Sequence, residues 1–107
     1  MIANTPNTPY YAVIFTSMRT EGDNGYREMA DKMEVLAKQQ QGYLGIESAR
    51  EDLGLTISYW SDLDSIKNWK QNMDHLFAQE KGRNVWYSAY KVRICKVERD
   101  YGFEKKD

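Results

Sequence analysis

Cysteine and histidine each occur once in these 107 residues, proline occurs twice, and no stretch approaches the ~20 consecutive apolar residues that cross a bilayer. Each scarcity removes a class of function. Cys95 has no second cysteine with which to form an intramolecular disulfide, and its alternating strand context suits a packed thiol rather than a nucleophile. One histidine and one cysteine cannot build a typical structural zinc site, and no regular carboxylate spacing suggests calcium, so no metal is expected. The glycines at 42, 45 and 54 form neither a dinucleotide turn nor a phosphate loop, and no serine lies in a G-x-S-x-G elbow. A net charge of -1 gives no electrostatic reason to bind nucleic acid. Met1–Pro9 lacks a basic n-region followed by an apolar run, which together with the missing apolar span makes a soluble, cytoplasmic protein with no membrane association the expectation.

What the chain does have is aromatic residues. They make up 13% of it, and Tyr59, Trp60, Trp69, Trp86, Tyr87 and Tyr90 recur through the second half, together with His75. The length suits one domain with a single core. Residues 1–9, with a repeated Asn-Thr-Pro, read as a flexible arm. Tyr10 to Met18 is β-branched and aromatic enough for a buried strand. Gly22-Asp23-Asn24-Gly25 supplies turn and cap residues, after which Tyr26, Met29, Ala30, Met33, Leu36, Ala37 and Gln40 keep the spacing of an amphipathic helix that ends before Gly42. Tyr43 to Glu51 and Leu55 to Trp60 flank an Asp52-Leu53-Gly54 turn, which predicts a hairpin.

A second helix, capped by Ser61 or Asp62, carries Leu63, Ile66, Trp69 and Met73 along one face, with Leu76 and Phe77 continuing it and Gly82 ending it. His75 falls about 240° around the helix from Trp69, so an unbroken helix leaves it in water, whereas a break at Asn72 or Asp74 would re-aim it. A last strand spans about Val85 to Glu98, before a polar tail. The order β-α-β-β-α-β predicts an α+β, ferredoxin-like fold: an antiparallel sheet with both helices on one face. Its other face would still carry rings and aliphatics, which predicts a homodimer formed through the sheets. RNA-recognition domains share this topology, but Leu55 to Trp60 lacks their Lys/Arg-Gly-aromatic opening.

Taken together, Tyr59-Trp60-Ser61, Ser65-Ile66-Lys67-Asn68-Trp69, His75, Ala78-Gln79, Gly82-Arg83, Trp86-Tyr87, Tyr90, Val97 and Tyr101 resemble the antibiotic biosynthesis monooxygenase (ABM) superfamily. The resemblance covers residues 10–103 as one domain and leaves 104–107 as a polar tail. It implies a dimeric α+β barrel with a hydrophobic pocket between sheet and helices. It also implies a monooxygenase that oxidises a small aromatic phenol or quinol with molecular oxygen and no cofactor, the enzyme favouring the phenolate or carbanion that itself reduces oxygen. By position in the family pattern, Trp69 would line the pocket and orient the ring, and His75 would handle the proton. Ser65 stands where phenol-oxidising members place an asparagine, and it joins Tyr59, Trp60 and Trp86 as substrate-binding candidates. The alternative is a non-catalytic small-ligand-binding or sensing dimer of the same fold. A haem-degrading role is the weaker reading, because Gln79 stands where that branch has its iron-ligating histidine. Arg50 and Arg83 are positioned to attract an acidic ligand, although a surface arginine is the ordinary case.

Overall fold

In a computed structural model, which describes residues 1–80 and 83–106, the chain forms four strands and three helices. They are β1 (Tyr10–Arg19), α1 (Tyr26–Lys38), β2 (Tyr43–Arg50), β3 (Gly54–Trp60), α2 (Leu63–Glu80), α3 (Arg83–Trp86) and β4 (Tyr87–Val97). The sheet is antiparallel with order β2-β3-β1-β4, the expected ferredoxin-like α+β arrangement. Gly82, the expected helix stop, lies outside the described residues. The last strand begins at Tyr87 rather than Val85 because Arg83–Trp86 first makes one helical turn.

Two loops fix how α1 and β4 enter the fold. Asp23 accepts hydrogen bonds from the backbone N–H groups of Gly25 at 3.0 Å and Arg27 at 3.3 Å, so a residue ahead of the helix satisfies donors at the start of α1. Gly25 itself has φ 83, a conformation costly for any residue with a Cβ. The indole N–H of Trp86 donates to the carbonyl of Asn24 at 2.8 Å, while the Trp86 carbonyl accepts from Thr20 N–H and from the Arg19 guanidinium. Trp86 is 4% exposed, so it ties the β1–α1 loop to the start of β4 from within the core.

The pleat sorts residues between the two faces. On β1, Tyr11, Val13, Phe15 and Ser17 face the helices, as do their β3 partners Trp60, Ser58, Thr56 and Gly54. Trp60 is fully buried and stacks on Trp69 of α2, with ring centroids 5.8 Å apart and planes 25° from parallel. Val13, Ala37 and Ile66 complete that cluster, and Met29, Leu76, Phe77 and Trp86 form a second one beside it.

The opposite face carries Ile14, Ile57, Tyr59 and Leu55, with no helix over it. Part of it is covered by the chain's own N-terminal arm: Ala3 N–H donates to Glu47 at 2.8 Å, and Tyr59 donates its hydroxyl to the same carboxylate at 2.7 Å. A side chain at Gly45 would collide with Ala3, so the arm's path needs a residue without Cβ there. Tyr10 receives a hydrogen bond from Thr5 and donates to Asp100 at 2.5 Å, joining both termini on this face.

These bonds couple the arm to pH. The Tyr59 hydroxyl and then the Ala3 N–H hold the Glu47 carboxyl below its ordinary range, so this stabilisation is present above the unfolded carboxylate value and is lost as pH falls through the folded one. Burial and then the bond to Glu47 push Tyr59 up to about 12, so its contribution is complete below the ordinary tyrosine value and is lost as pH climbs towards 12. Glu47→Gln, which still accepts both donors but does not titrate, should flatten the acid limb. The protection of the Ala3 amide against exchange, relative to its intrinsic rate at each pH, should fall on acidification in the wild type and respond much less in the variant.

Candidate active site

Beneath α1, between it and the sheet, lies a cavity of about 380 Å³, within the ~300–1,000 Å³ range of small-molecule sites. It arises from the same alternation that builds the core. Val13, Phe15 and Ser17 of β1, with Thr56 and Ser58 of β3, form its floor. Met29, Met33 and Ala37 project from α1 at helical spacing, and Trp69, Met73 and Phe77, four residues apart on α2, close another side. Small side chains on the floor (Ser17, Ser58 and Thr56) leave the space unfilled. Met29, Met33, Trp69 and Met73 above supply polarizable walls.

At one end the lining becomes polar. Tyr26, at the start of α1, and Tyr87, at the start of β4, meet edge to face at 5.8 Å. Burial, followed by the Tyr26 hydroxyl beside it, raises the Tyr87 hydroxyl above the ordinary tyrosine value, which keeps it protonated at neutral pH. Arg19 lies 3.6 Å above the Tyr26 ring and spends its donors on the carbonyls of Trp86, Gly22 and Asp23. Arg50, at the end of β2, reaches inward to hydrogen-bond the buried Ser17 hydroxyl.

Of the residues singled out in the sequence, the structure brings Trp69 and Arg50 to the cavity wall and places His75, Tyr59, Trp60, Ser65, Trp86 and Arg83 elsewhere. His75 is exposed and absent from the lining, because α2 runs unbroken from Leu63 to Glu80 and no break re-aims it. Tyr59 sits on the opposite face of the sheet, bonded to Glu47, because it alternates with Ser58 and Trp60. Trp60 lies behind Trp69 and donates its indole N–H to Ser58 at 2.8 Å. Ser65 is buried at the first turn of α2, where its N–H is capped by Asp62 at 2.7 Å, and it packs so closely on Gly42 that no Cβ fits there. Trp86 belongs to the second core cluster. Arg83 is exposed and lies 3.7 Å from Asp74. Lining residues that were not singled out as site residues include Ser17, Tyr26, Phe15, Met29, Met33 and Tyr87. The one signal for the polar end was Gly54 opposite Arg50 across the hairpin, an intimation of something needing room.

A four-stranded antiparallel sheet with its helices on one face and a hollow between the layers is the fold of the ABM superfamily, as the sequence resemblance implied. SnoaB, a cofactor-independent oxygenase from Streptomyces nogalater, superposes with a TM-score of 0.65 over 92% of this chain and 100% of its own, at 8% identity. A Bordetella bronchiseptica protein provisionally assigned as an antibiotic biosynthesis monooxygenase gives a TM-score of 0.65 over 88% of this chain and 100% of its own, at 10% identity. In sequence, the chain is 48% identical over 106 residues to the uncharacterized protein YqjZ of Bacillus subtilis, covering 97% of this chain and 93% of that one. The chain therefore belongs to one family with YqjZ. No protein-family model matches it. Among the described residues, no helix is long and apolar enough to cross a membrane.

The placement of Trp69 and His75 separates their contributions to stability. Trp69→Ala should cost about 3–5 kcal/mol, since it removes a buried ring stacked on another. His75→Ala should change stability by less than about 0.5 kcal/mol, as expected at a solvated helix position. Urea unfolding of the two variants beside the wild type checks both values.

Proposed function

We propose that the cavity beneath α1 binds a small aromatic phenol or quinol and that the protein is a cofactor-independent monooxygenase. The observation that carries this reading is an aromatic- and methionine-lined hollow of about 380 Å³, with Trp69 in its wall, inside a fold also used by a cofactor-independent oxygenase. For a phenol, the balanced reaction converts substrate and molecular oxygen to a quinone and water. The electrons come from the ring, so the protein's tasks are to favour the ionised substrate, orient it and exclude water. Trp69, Met73 and Phe77 would hold the ring from one side, with Val13 and Phe15 beneath. Proton removal by His75 is not part of this reading, since its imidazole points away from the cavity.

A specific observation favours the second reading, a ligand-binding or sensing protein with the same pocket. Among the described lining residues none is a histidine, and the carboxylates Asp31 and Glu34 come from α1 and are exposed, so no buried base stands against the inner wall. Oxygen uptake by metal-stripped protein with anthrones, naphthols and hydroquinones separates the two. The oxygenase reading expects uptake above a protein-free control that falls in Trp69→Phe and is unchanged in His75→Ala. No uptake with any of these compounds, combined with thermal stabilisation by one of them, would establish the binding reading instead.

The same proposal includes a homodimer through the sheet faces. Ile14 and Ile57 are cross-strand partners at the middle of the open face, Leu55 and Met18 beside them are 40% and 51% exposed, and Tyr101 and Phe103 of the tail are each 89% exposed. Light scattering should give twice the chain mass for the wild type, and Ile57→Glu should shift it towards the monomer. A wild type monomeric at all concentrations would remove this part of the proposal.

A further inference from the structure

The cavity's sheet wall carries one charge, and it is built in. Gly54 lies directly across the β2–β3 hairpin from Arg50, and a Cβ on Gly54 would collide with the Arg50 guanidinium. The missing side chain is what lets the guanidinium, though Arg50 remains exposed, lie against the sheet at the edge of the cavity. There it donates to Ser17 Oγ, a hydroxyl 2% exposed in the cavity floor, and stands 5.9 Å from the Tyr26 ring.

Arg19, 3.6 Å from the same ring, is the contrast. Arg19 is saturated by three backbone carbonyls and serves the fold. Arg50 has one side-chain partner among the described residues, a neutral hydroxyl, and no carboxylate within ion-pair distance. A guanidinium presents five donors in a plane, and Ser17 uses one of them. The remaining charges on the cavity wall, Arg27, Asp31 and Glu34, come from α1 and, like Arg50, are exposed. The Arg50 guanidinium therefore stands at the open edge of the cavity without a carboxylate partner among the described residues, in a setting where the neighbouring hydroxyls of Ser17 and Tyr26 can also donate.

From this geometry we infer that the cavity takes its aromatic ligand as a monoanion, with the anionic oxygen held by the Arg50 guanidinium beside Ser17 and the ring lying towards Trp69. The inference rests on the cavity being the ligand site, as proposed above, and it names the charge of the ligand. It also assigns Arg50 a task that a base would otherwise have. A fixed cation beside a phenolic oxygen lowers that phenol's pKa, so the ionised substrate accumulates and the released proton goes to water. A carboxylate and a phenolate present the same chemistry to this group, and both serve as probes.

The test compares 2-naphthoate with 2-naphthamide by tryptophan fluorescence titration at neutral pH, and 4-nitrophenol with 4-nitroanisole by visible absorption, which reports ionisation of the bound phenol. Wild-type protein should bind at least one anion roughly tenfold or more tighter than its neutral counterpart. Arg50→Met should bring the pair to within about twofold. Gly54→Ala keeps the arginine in the chain but pushes it off the floor, so it should lose the preference as well. A long-range charge effect would survive that substitution, which makes it the sharper control, with circular dichroism confirming the fold of each variant.

Preference for naphthoate alone assigns a carboxylate, and preference for ionised nitrophenol alone assigns a phenolate. Acid and neutral probes bound equally by wild type, or a preference that persists in Arg50→Met, would overturn the inference while leaving the cavity as a binding site. Failure of every probe to bind, charged or neutral, would overturn both.

Discussion

The stacked pair Trp60 and Trp69 is the contact on which the arrangement of this molecule depends. One ring comes from the inward face of β3 and the other from the middle of α2, so the stack fixes helix to sheet in both distance and rotation. Trp60 can be fully buried because its one polar atom is satisfied by Ser58, two residues earlier on the same face of the same strand. With Trp69 held there, Met73 and Phe77 follow one and two turns later along the same side of α2, and the α2 wall of the cavity is defined. The ring therefore belongs to the core through one face and to the cavity through its exposed margin. That dual membership is how a tryptophan can be both a packing residue and a ligand-facing one.

A hollow between sheet and helices runs against close packing, and the chain contains it by local means. Ser17, Ser58 and Thr56 are too short to meet the methionines descending from α1, yet their hydroxyls find partners or the cavity itself, and no buried side-chain nitrogen or oxygen is left unpaired among the described residues. The polar end is built with equal economy. Two arginines lie near the Tyr26 ring, Arg19 from the end of β1 and Arg50 from the end of β2; the first is consumed in holding the β1–α1 loop and the second lies against a glycine with its donors largely free. Apolar walls with one unneutralised cation at the floor form an environment in which a flat anionic ring is better served than either a neutral ring or a free anion.

Much of this was legible from the chain because it rests on short-range periodicity. Alternation in Tyr10 to Met18 and Leu55 to Trp60, helical spacing from Tyr26 to Gln40, and the hairpin turn before Gly54 depend on neighbouring residues alone, and the strand and helix order follows from them. The position of His75 was legible in one conditional respect: 240° from Trp69 on a continuous helix means water. What decided it was continuity through Asn72 and Asp74. Both are residues with a preference for caps, but here they lie within a helix whose packed face holds it straight, and Asn72 turns its amide to the carbonyl of Asn68 at 2.9 Å.

The sequence by itself determined the class of fold, the order of its elements and the place of Trp69 on the apolar stripe of α2, since each follows from the pattern of one segment. Tertiary structure alone decided which face of the sheet receives Tyr59, that Ser65 packs on Gly42 at a helix start, and that Arg50 turns inward over Gly54 to Ser17. Those outcomes depend on residues 33 positions apart in the chain for Arg50 and Ser17, and on the space left by a side chain that is not there. Local propensity carries no information about either. The charge at the floor of the cavity is thus a property of three strands meeting, and it exists only once the sheet has formed.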